Sequence, residues 1–207
     1  MSKILDKIVE INTKWAEQEP EHSQFPVHKG GSIHQRARLR EVAELALETY
    51  EGDILEIGCH VGLTTKIFAE LAKKHGRKVV VVDPWDGRQE GNQTVYEQFV
   101  ENTSEYADII EVNRMGSQEP QAVEKIKQGN FAFCWIDGLH TPYACKSDIE
   151  ACTGQHGIQA VDDLSWSSGG ALKELFYIMA AKNGYEQHYD TRCREGYYVT
   201  GNEDKED

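Results

Sequence analysis

The sequence predicts a doubly wound α/β domain: a mostly parallel sheet with helices on both faces and an antiparallel hairpin at its C-terminal edge. Three observations predict it. Short apolar runs alternate with amphipathic helical patterns along most of the chain. The most apolar run, KVVVVD at 78–83, has the unbroken valines of a central strand buried on both faces. A glycine-punctuated segment, LEIGCHVGLTT at 55–65, leads from one such strand into a helix.

The elements follow in order. Ile4, Leu5, Ile8, Ile11 and Trp15 recur every three or four positions and predict an amphipathic helix over 4–15. EQEPEHSQFPVHKGGS at 17–32, with two prolines and a Gly-Gly pair, reads as an extended arm or loop, either covering a site or linking over the surface. Ser32 is positioned to cap a helix whose stripe of Leu39, Val42, Ala43, Leu45 and Ala46 runs to Tyr50. Gly52 ends it, Ile54–Ile57 form a buried strand, and residues 58–62 turn into a helix over 63–74 that stops at His75-Gly76. After the valine strand come a polar helix over 94–104, a strand over 108–112 and a short helix over 121–127. FAFCWID is the next strand, 145–152 gives one or two helical turns, and IQAVDD is a further strand. A helix over 169–182, capped by Ser167 or Ser168, leads into EQHYDTRCREGYYVTG, two strands joined by a turn. Strands joined by helices make right-handed βαβ units, and the terminal hairpin supplies the antiparallel edge. The division expected is a helix and arm over 1–31, one domain over 32–201, and a disordered acidic tail over 202–207.

A formal charge of −13 repels phosphate backbones and anionic membranes, which argues against nucleic-acid and membrane partners. Arg36, Arg38 and Arg40 are the closest thing to a basic patch and read as a solvated helix face. The five cysteines form no Cys-x-x-Cys pair and suggest neither a disulfide framework nor a thiolate zinc site, so a reducing, cytoplasmic compartment is expected. The first residues lack the apolar core of a secretory signal, and no stretch is long enough to span a bilayer. A homo-oligomer built through the first helix stays open.

Chemistry is expected beyond the C-terminal ends of the strands, where open α/β sheets bind ligands. The acid-x-Gly-x-x-x-Gly turn of Glu56, Gly58 and Gly62, with Cys59 and His60 inside it, suits a zwitterionic amino-acid ligand. Glu56 can balance a cationic group while loop N–H groups face a carboxylate, and glycine lets the ligand approach the backbone. Asp83 ends the valine strand and can accept hydrogen bonds from two ribose hydroxyls, or simply initiate the PWDG turn. Gly116 and Ser117, after the third strand, are placed to border an adenine.

Asp137, Asp162 and Asp163 end two further strands, and three converging carboxylates call for a cation. Oxygen-only donors favour magnesium; the alternative is that the three order their own turns. His140, one turn beyond Asp137, is positioned to remove a proton from an acceptor hydroxyl. Tyr143 reads as packing or substrate contact, and Asp148 as a helix or loop partner.

Together LEIGCHVGLTT, VVDPWDG, WIDGLHTPYACKSDIE and AVDDLSW resemble the class I methyltransferases, in particular the macrocin-type sugar O-methyltransferases. The resemblance spans about residues 32–175. It implies a Rossmann-like fold and an S-adenosylmethionine site at Glu56, Gly58, Gly62 and Asp83. It also implies magnesium on Asp137, Asp162 and Asp163, with His140 as general base and Asp137 beside it. The implied acceptor is a small molecule, a hydroxyl of a sugar or natural-product scaffold. The segment CTGQHGIQA is shorter than the family's usual run and lacks its Gly-Gly turn. Two other readings stand beside this one. A non-catalytic cofactor-binding module would keep Glu56 and Asp83 but need no His140. A nicotinamide oxidoreductase would need the Gly-x-Gly-x-x-Gly fingerprint, and His60 interrupts it.

Overall fold

The computed structural model describes residues 2–18, 33–87, 89–165, 170–190 and 194–200. Most of the expected arm, the caps at Ser32, Ser167 and Ser168, and the acidic tail lie outside the described residues.

Seven strands form one sheet in the order β5-β2-β1-β6-β7-β9-β8. β1 (Asp53–Ile57), β2 (Val79–Val82), β5 (Ile110–Asn113), β6 (Phe131–Ile136) and β7 (Ile158–Val161) are parallel. β9 (Glu195–Val199) runs antiparallel between β7 and β8 (Glu186–Asp190), giving the expected hairpin edge. A two-stranded ribbon of β3 (Gln89–Glu90) and β4 (Gln93–Thr94) stands apart and has no counterpart in the sequence reading.

The period of two in a strand explains the two cores. Ile54, Val79 and Val81 pack with α1 (Lys3–Ala16), α2 (Ile33–Thr49) and α3 (Leu63–His75) on one face. Leu55, Ile57, Val80 and Val82 pack with α5 (Pro120–Gln128), α6 (Pro142–Ala151) and α7 (Ala171–Asn183) on the other. Glu56, between Leu55 and Ile57, is thereby turned into the first core as a carboxyl group 1% exposed. The first helix belongs to this body. Ser2 N–H donates to Glu186 Oε2 at 2.8 Å, and Trp15 Nε1–H to Glu41 at 3.1 Å.

α4 (Val95–Thr103) begins at a capping box, Thr94 and Glu97 reciprocally bonded, and continues into a 3₁₀ turn over Ser104–Tyr106. α6 starts earlier than expected because Thr141 caps it and Pro142 occupies its first turn, a start signal the apolar pattern alone passes over. β5 lies one to two residues later than its apolar run suggests, with Asn113 buried and bonded to the Val81 carbonyl at 3.1 Å. Among the described residues no helix is long and apolar enough to cross a membrane.

Candidate active site

Hydrogen bonds that run one step past the strand ends set the site out in a row. Gly58 N–H donates to Val82 O at 2.9 Å, Asp83 N–H to Asn113 O at 3.2 Å, Asp137 N–H to Ile57 O at 2.8 Å and Asp162 N–H to Ile136 O at 3.0 Å. The glycine turn, Asp83, Asp137 and Asp162 therefore share one edge of the sheet, as the parallel register demands.

The glycine turn is shaped first by the protein itself. A Cβ at Gly58 (φ +84°) would lie 2.1 Å from the Asp137 carbonyl oxygen, and one at Gly62 (φ +80°) 2.8 Å from the Phe99 ring. Both glycines allow close approach of neighbouring segments, where the sequence reading ascribed them to a ligand. Asp83 then ties the turn down. Its Oδ2 accepts from Cys59 N–H at 2.8 Å and His60 N–H at 3.1 Å, and its Oδ1 accepts from Trp85 N–H at 2.8 Å. The Cys59 and His60 N–H groups thus point at Asp83, not outward at a ligand. Three of about four lone-pair positions on Asp83 are used, which leaves limited capacity for a ribose hydroxyl. Trp85 is folded under the turn, its Nε1–H donating to His60 O at 2.8 Å, while His60 Nε2 sits 3.2 Å from Glu90. Trp85 and Trp135 are 5% and 1% exposed, core residues both.

Glu56 accepts from Thr65 Oγ1–H at 2.5 Å through Oε2, while its buried Oε1 has no partner. Burial pushes its carboxyl up to about 8, against the Thr65 hydrogen bond, with Asp137 and Asp83 adding repulsion. A proton-holding acid with one unpartnered oxygen next to the turn fits a cationic ligand, which would supply both a donor and the charge that ionises it.

Beyond β5, Gly116 N–H donates to Glu119 at 2.7 Å and Ser117 is buried. Gln118 Nε2–H donates to Ser117 Oγ at 2.5 Å and to Asp148 Oδ1 at 2.8 Å. Burial raises Asp148 to about 6, opposed by its hydrogen bonds with Ser117 and Gln118. Gln118 went unnoticed in the sequence, although it directly follows the Gly116-Ser117 pair.

At the other end of the row, His140 Nε2 lies 3.4 Å from Asp137 Oδ1 and 3.7 Å from Asp163 Oδ2. Asp162 faces the Gln35 amide, at 3.3 and 3.4 Å. Behind them Arg38 and Glu195 form a buried bidentate pair at 2.9 and 3.2 Å, to which Tyr197 donates its hydroxyl. Burial raises Asp137 while the His140 hydrogen bond lowers it. Burial first, then Asp137, Glu195 and Asp163, hold Asp162 well above the usual carboxylate range. The Asp137 hydrogen bond raises His140 against its own burial. Arg38 corrects the reading of its trio as a solvated face: it is 1% exposed, because α2 turns it onto Glu195. Among the described residues no three His, Cys, Asp or Glu side chains are arranged to hold a metal ion. The donor chemistry of Asp137, Asp162 and Asp163 fits magnesium, and in this arrangement the basic side chains beside them are His140 and Arg194, the latter 3.9 Å from Asp163 Oδ1. Leu139 and Tyr143, 62% and 79% exposed, flank His140.

The model of a family described as "Methyltransferase domain" matches residues 55–161, the span from the glycine turn to the last parallel strand. No curated protein sequence matches the chain. Solved structures share its fold. An apo TDP-rhamnose 3'-O-methyltransferase of calicheamicin biosynthesis aligns with a TM-score of 0.62 at 17% identity, covering 98% of this chain and 97% of that one. A methyltransferase of Podospora anserina bound to S-adenosylhomocysteine aligns at 0.64 and 14% identity, covering 98% and 89%. An O-methyltransferase of tomaymycin synthesis from Streptomyces achromogenes, in complex with S-adenosylmethionine, aligns at 0.57 and 15%, covering 97% and 91%.

Proposed function

Since the chain belongs to the methyltransferase-domain family, we propose that it transfers the sulfonium methyl of S-adenosylmethionine to a hydroxyl of a small molecule, a sugar or natural-product scaffold. One observation carries the reading: the glycine turn, Asp83 and the Asp137–His140–Asp163 group stand in one row at one sheet edge. Cofactor-bound neighbours of the same fold support the choice of cofactor, and two of the neighbours above are named as O-methyltransferases.

In this reading Glu56 receives the cofactor's ammonium at Oε1, and Asp83 offers its remaining acceptor position to the ribose. Cys59 and His60 wall the turn between Gly58 and Gly62, and Gly116 and Ser117 border the adenine. Asp137, Asp162 and Asp163 would hold Mg²⁺, which when bound lowers the pKa of the acceptor hydroxyl. Transfer would require the acceptor oxygen to come in line with the sulfonium methyl, about 3–3.5 Å away. His140 Nε2 takes the hydroxyl proton, the oxygen–methyl bond forms, and the carbon–sulfur bond breaks to leave neutral S-adenosylhomocysteine. Asp137 and Asp163 stabilise the imidazolium so formed. We take residues 32–201 as the catalytic domain and 1–31 as its N-terminal helix and arm. The four described cysteines, all free and buried, support a reducing, cytoplasmic setting.

The test is calorimetric titration of S-adenosylmethionine into chelator-treated protein, repeated with excess Mg²⁺ and a panel of hydroxylated sugars. Cofactor binding without metal and acceptor binding that needs it are expected. No cofactor binding in either condition would overturn the reading. Cofactor binding with no methyl transfer to any acceptor would favour the non-catalytic module.

A further inference from the structure

The amide of Gln118 is held in one orientation by groups from two different elements. Its nitrogen has two hydrogens, one directed to Ser117 Oγ at 2.5 Å and one to Asp148 Oδ1 at 2.8 Å across 30 residues of sequence. An ionised carboxylate only accepts, so the nitrogen must face Asp148 and Oε1 must face away. Gln118 is half-buried, and its Oε1 is not among the buried unpartnered atoms of the described residues, so it keeps access to what lies in front of it. Asp148 itself is 1% exposed, and its Oδ2 has no partner. That oxygen lies against Gly138, where a Cβ would come within 3.2 Å. A buried carboxylate with an unmet oxygen is a costly way to fill space, and a neutral side chain would fill it more cheaply. What a carboxylate supplies that an amide does not is an acceptor with no donor, which forbids the reversed Gln118 amide.

We propose that Asp148 is a positioning residue that locks Gln118 with its carbonyl outward, so that the cofactor site accepts the exocyclic amine of adenine and rejects a base bearing a keto oxygen there. This rests on the S-adenosylmethionine reading, which puts the base beside Gly116 and Ser117. An amine donates to the Gln118 Oε1. A keto oxygen at the same place sets two acceptors against each other, and a site built to hydrogen-bond one group rejects the analogue that lacks it.

The experiment is calorimetric titration of the full chain with S-adenosylhomocysteine and with S-inosylhomocysteine, its deaminated counterpart. The unmodified protein is expected to prefer the adenine form by about tenfold or more, the value of one well-placed hydrogen bond. In Asp148→Asn the new amide can donate to a reversed Gln118, and the preference is expected to fall to within about threefold. Gln118→Met, a change at a half-exposed side chain, removes the acceptor and is expected to level the two ligands as well, should the buried variant fail to fold. A packing role for Asp148 predicts parallel weakening of both ligands with an unchanged ratio, and that result would overturn the proposal. Equal binding by the unmodified protein would overturn it and leave the cofactor reading intact, whereas binding of neither ligand would overturn both.

Discussion

The two ends of the site are built differently. At the cofactor end, Asp83 gathers three backbone N–H groups at 2.8–3.1 Å and the turn closes on itself. At the acid end, His140 stands 3.4 and 3.7 Å from two carboxylates, and the Gln35 amide meets Asp162 at 3.3 and 3.4 Å. Short bonds that fill three of about four acceptor positions on Asp83 make the first end a fixed frame. Long contacts around clustered carboxylates make the second a region governed by charge balance, set by whatever cation or proton is present. A frame suits a cofactor common to a family, and an adjustable cluster suits the step in which a proton moves.

The comparison breaks most visibly at His140. His140→Ala should lower kcat by about 10²–10⁴-fold, the usual worth of a general base, while cofactor Kd stays within about twofold. Initial rates and calorimetry on the same preparation check it; a parallel loss of cofactor affinity would mean that the two ends are not separable. Because Asp137 raises His140, the acidic limb of kcat/KM should lie above the ordinary imidazole pKa of about 6.5, with activity rising as pH increases. Mg²⁺ should draw that limb downward, since a cation on the carboxylates disfavours the imidazolium.

Next in size is the support behind the acid end. Arg38→Met would leave Glu195 buried without its bidentate partner, and breaking one side of such a pair costs about 3–5 kcal/mol. Thermal or urea unfolding measures it. Replacing both, as Arg38→Met with Glu195→Gln, should recover much of the loss, which identifies the cost as that of a stranded charge.

The same contrast explains what the sequence could and could not reveal. Glu56, Gly58, Gly62 and Asp83 are legible because their geometry is local: a strand end, a turn and the next strand end, with spacing that registers directly in the chain. The carboxylates Asp137, Asp162 and Asp163 are legible as strand ends, since a parallel sheet aligns them. Gln35, Arg38 and Glu195 are not. They reach the acid end from α2 and β9 across 127 and 157 residues, and nothing in a charged residue's own neighbourhood distinguishes a buried pair from a solvated helix face. The ribbon of β3 and β4 was missed for another reason: two-residue strands carry no periodicity. Asp83 was legible in position but not in its whole role, because hydrogen bonds to loop N–H groups depend on a fold that a motif only implies.

At the cofactor end, Asp83→Ala would leave the Cys59, His60 and Trp85 N–H groups without their acceptor. With unmet donors at roughly 1–3 kcal/mol each where water does not replace the carboxylate, cofactor affinity should fall about 10- to 100-fold. At saturating cofactor kcat should change little, because the acid end is untouched. A large kcat loss at saturation would show that the frame also orients the reacting groups.

The smallest effect concerns a single proton. Burial raises Glu56 to about 8 from the ordinary 4.5 of a glutamate, so between those values the folded protein holds a proton that the unfolded chain has released. The contribution to stability is therefore full below about 4.5 and is lost as pH rises through about 8. Without cofactor, the protein should become less stable across that window, and Glu56→Gln, which stays neutral, should flatten the dependence. A ligand ammonium at Oε1 favours the ionised form, so S-adenosylmethionine binding near pH 7 should release a fraction of a proton, on the order of one at most. Calorimetric heats measured in buffers of different ionisation enthalpy detect that release. Heats independent of buffer would mean that Glu56 keeps its proton in the complex and meets the cofactor as a neutral acid, leaving the ammonium to be balanced by Asp137 or Asp83.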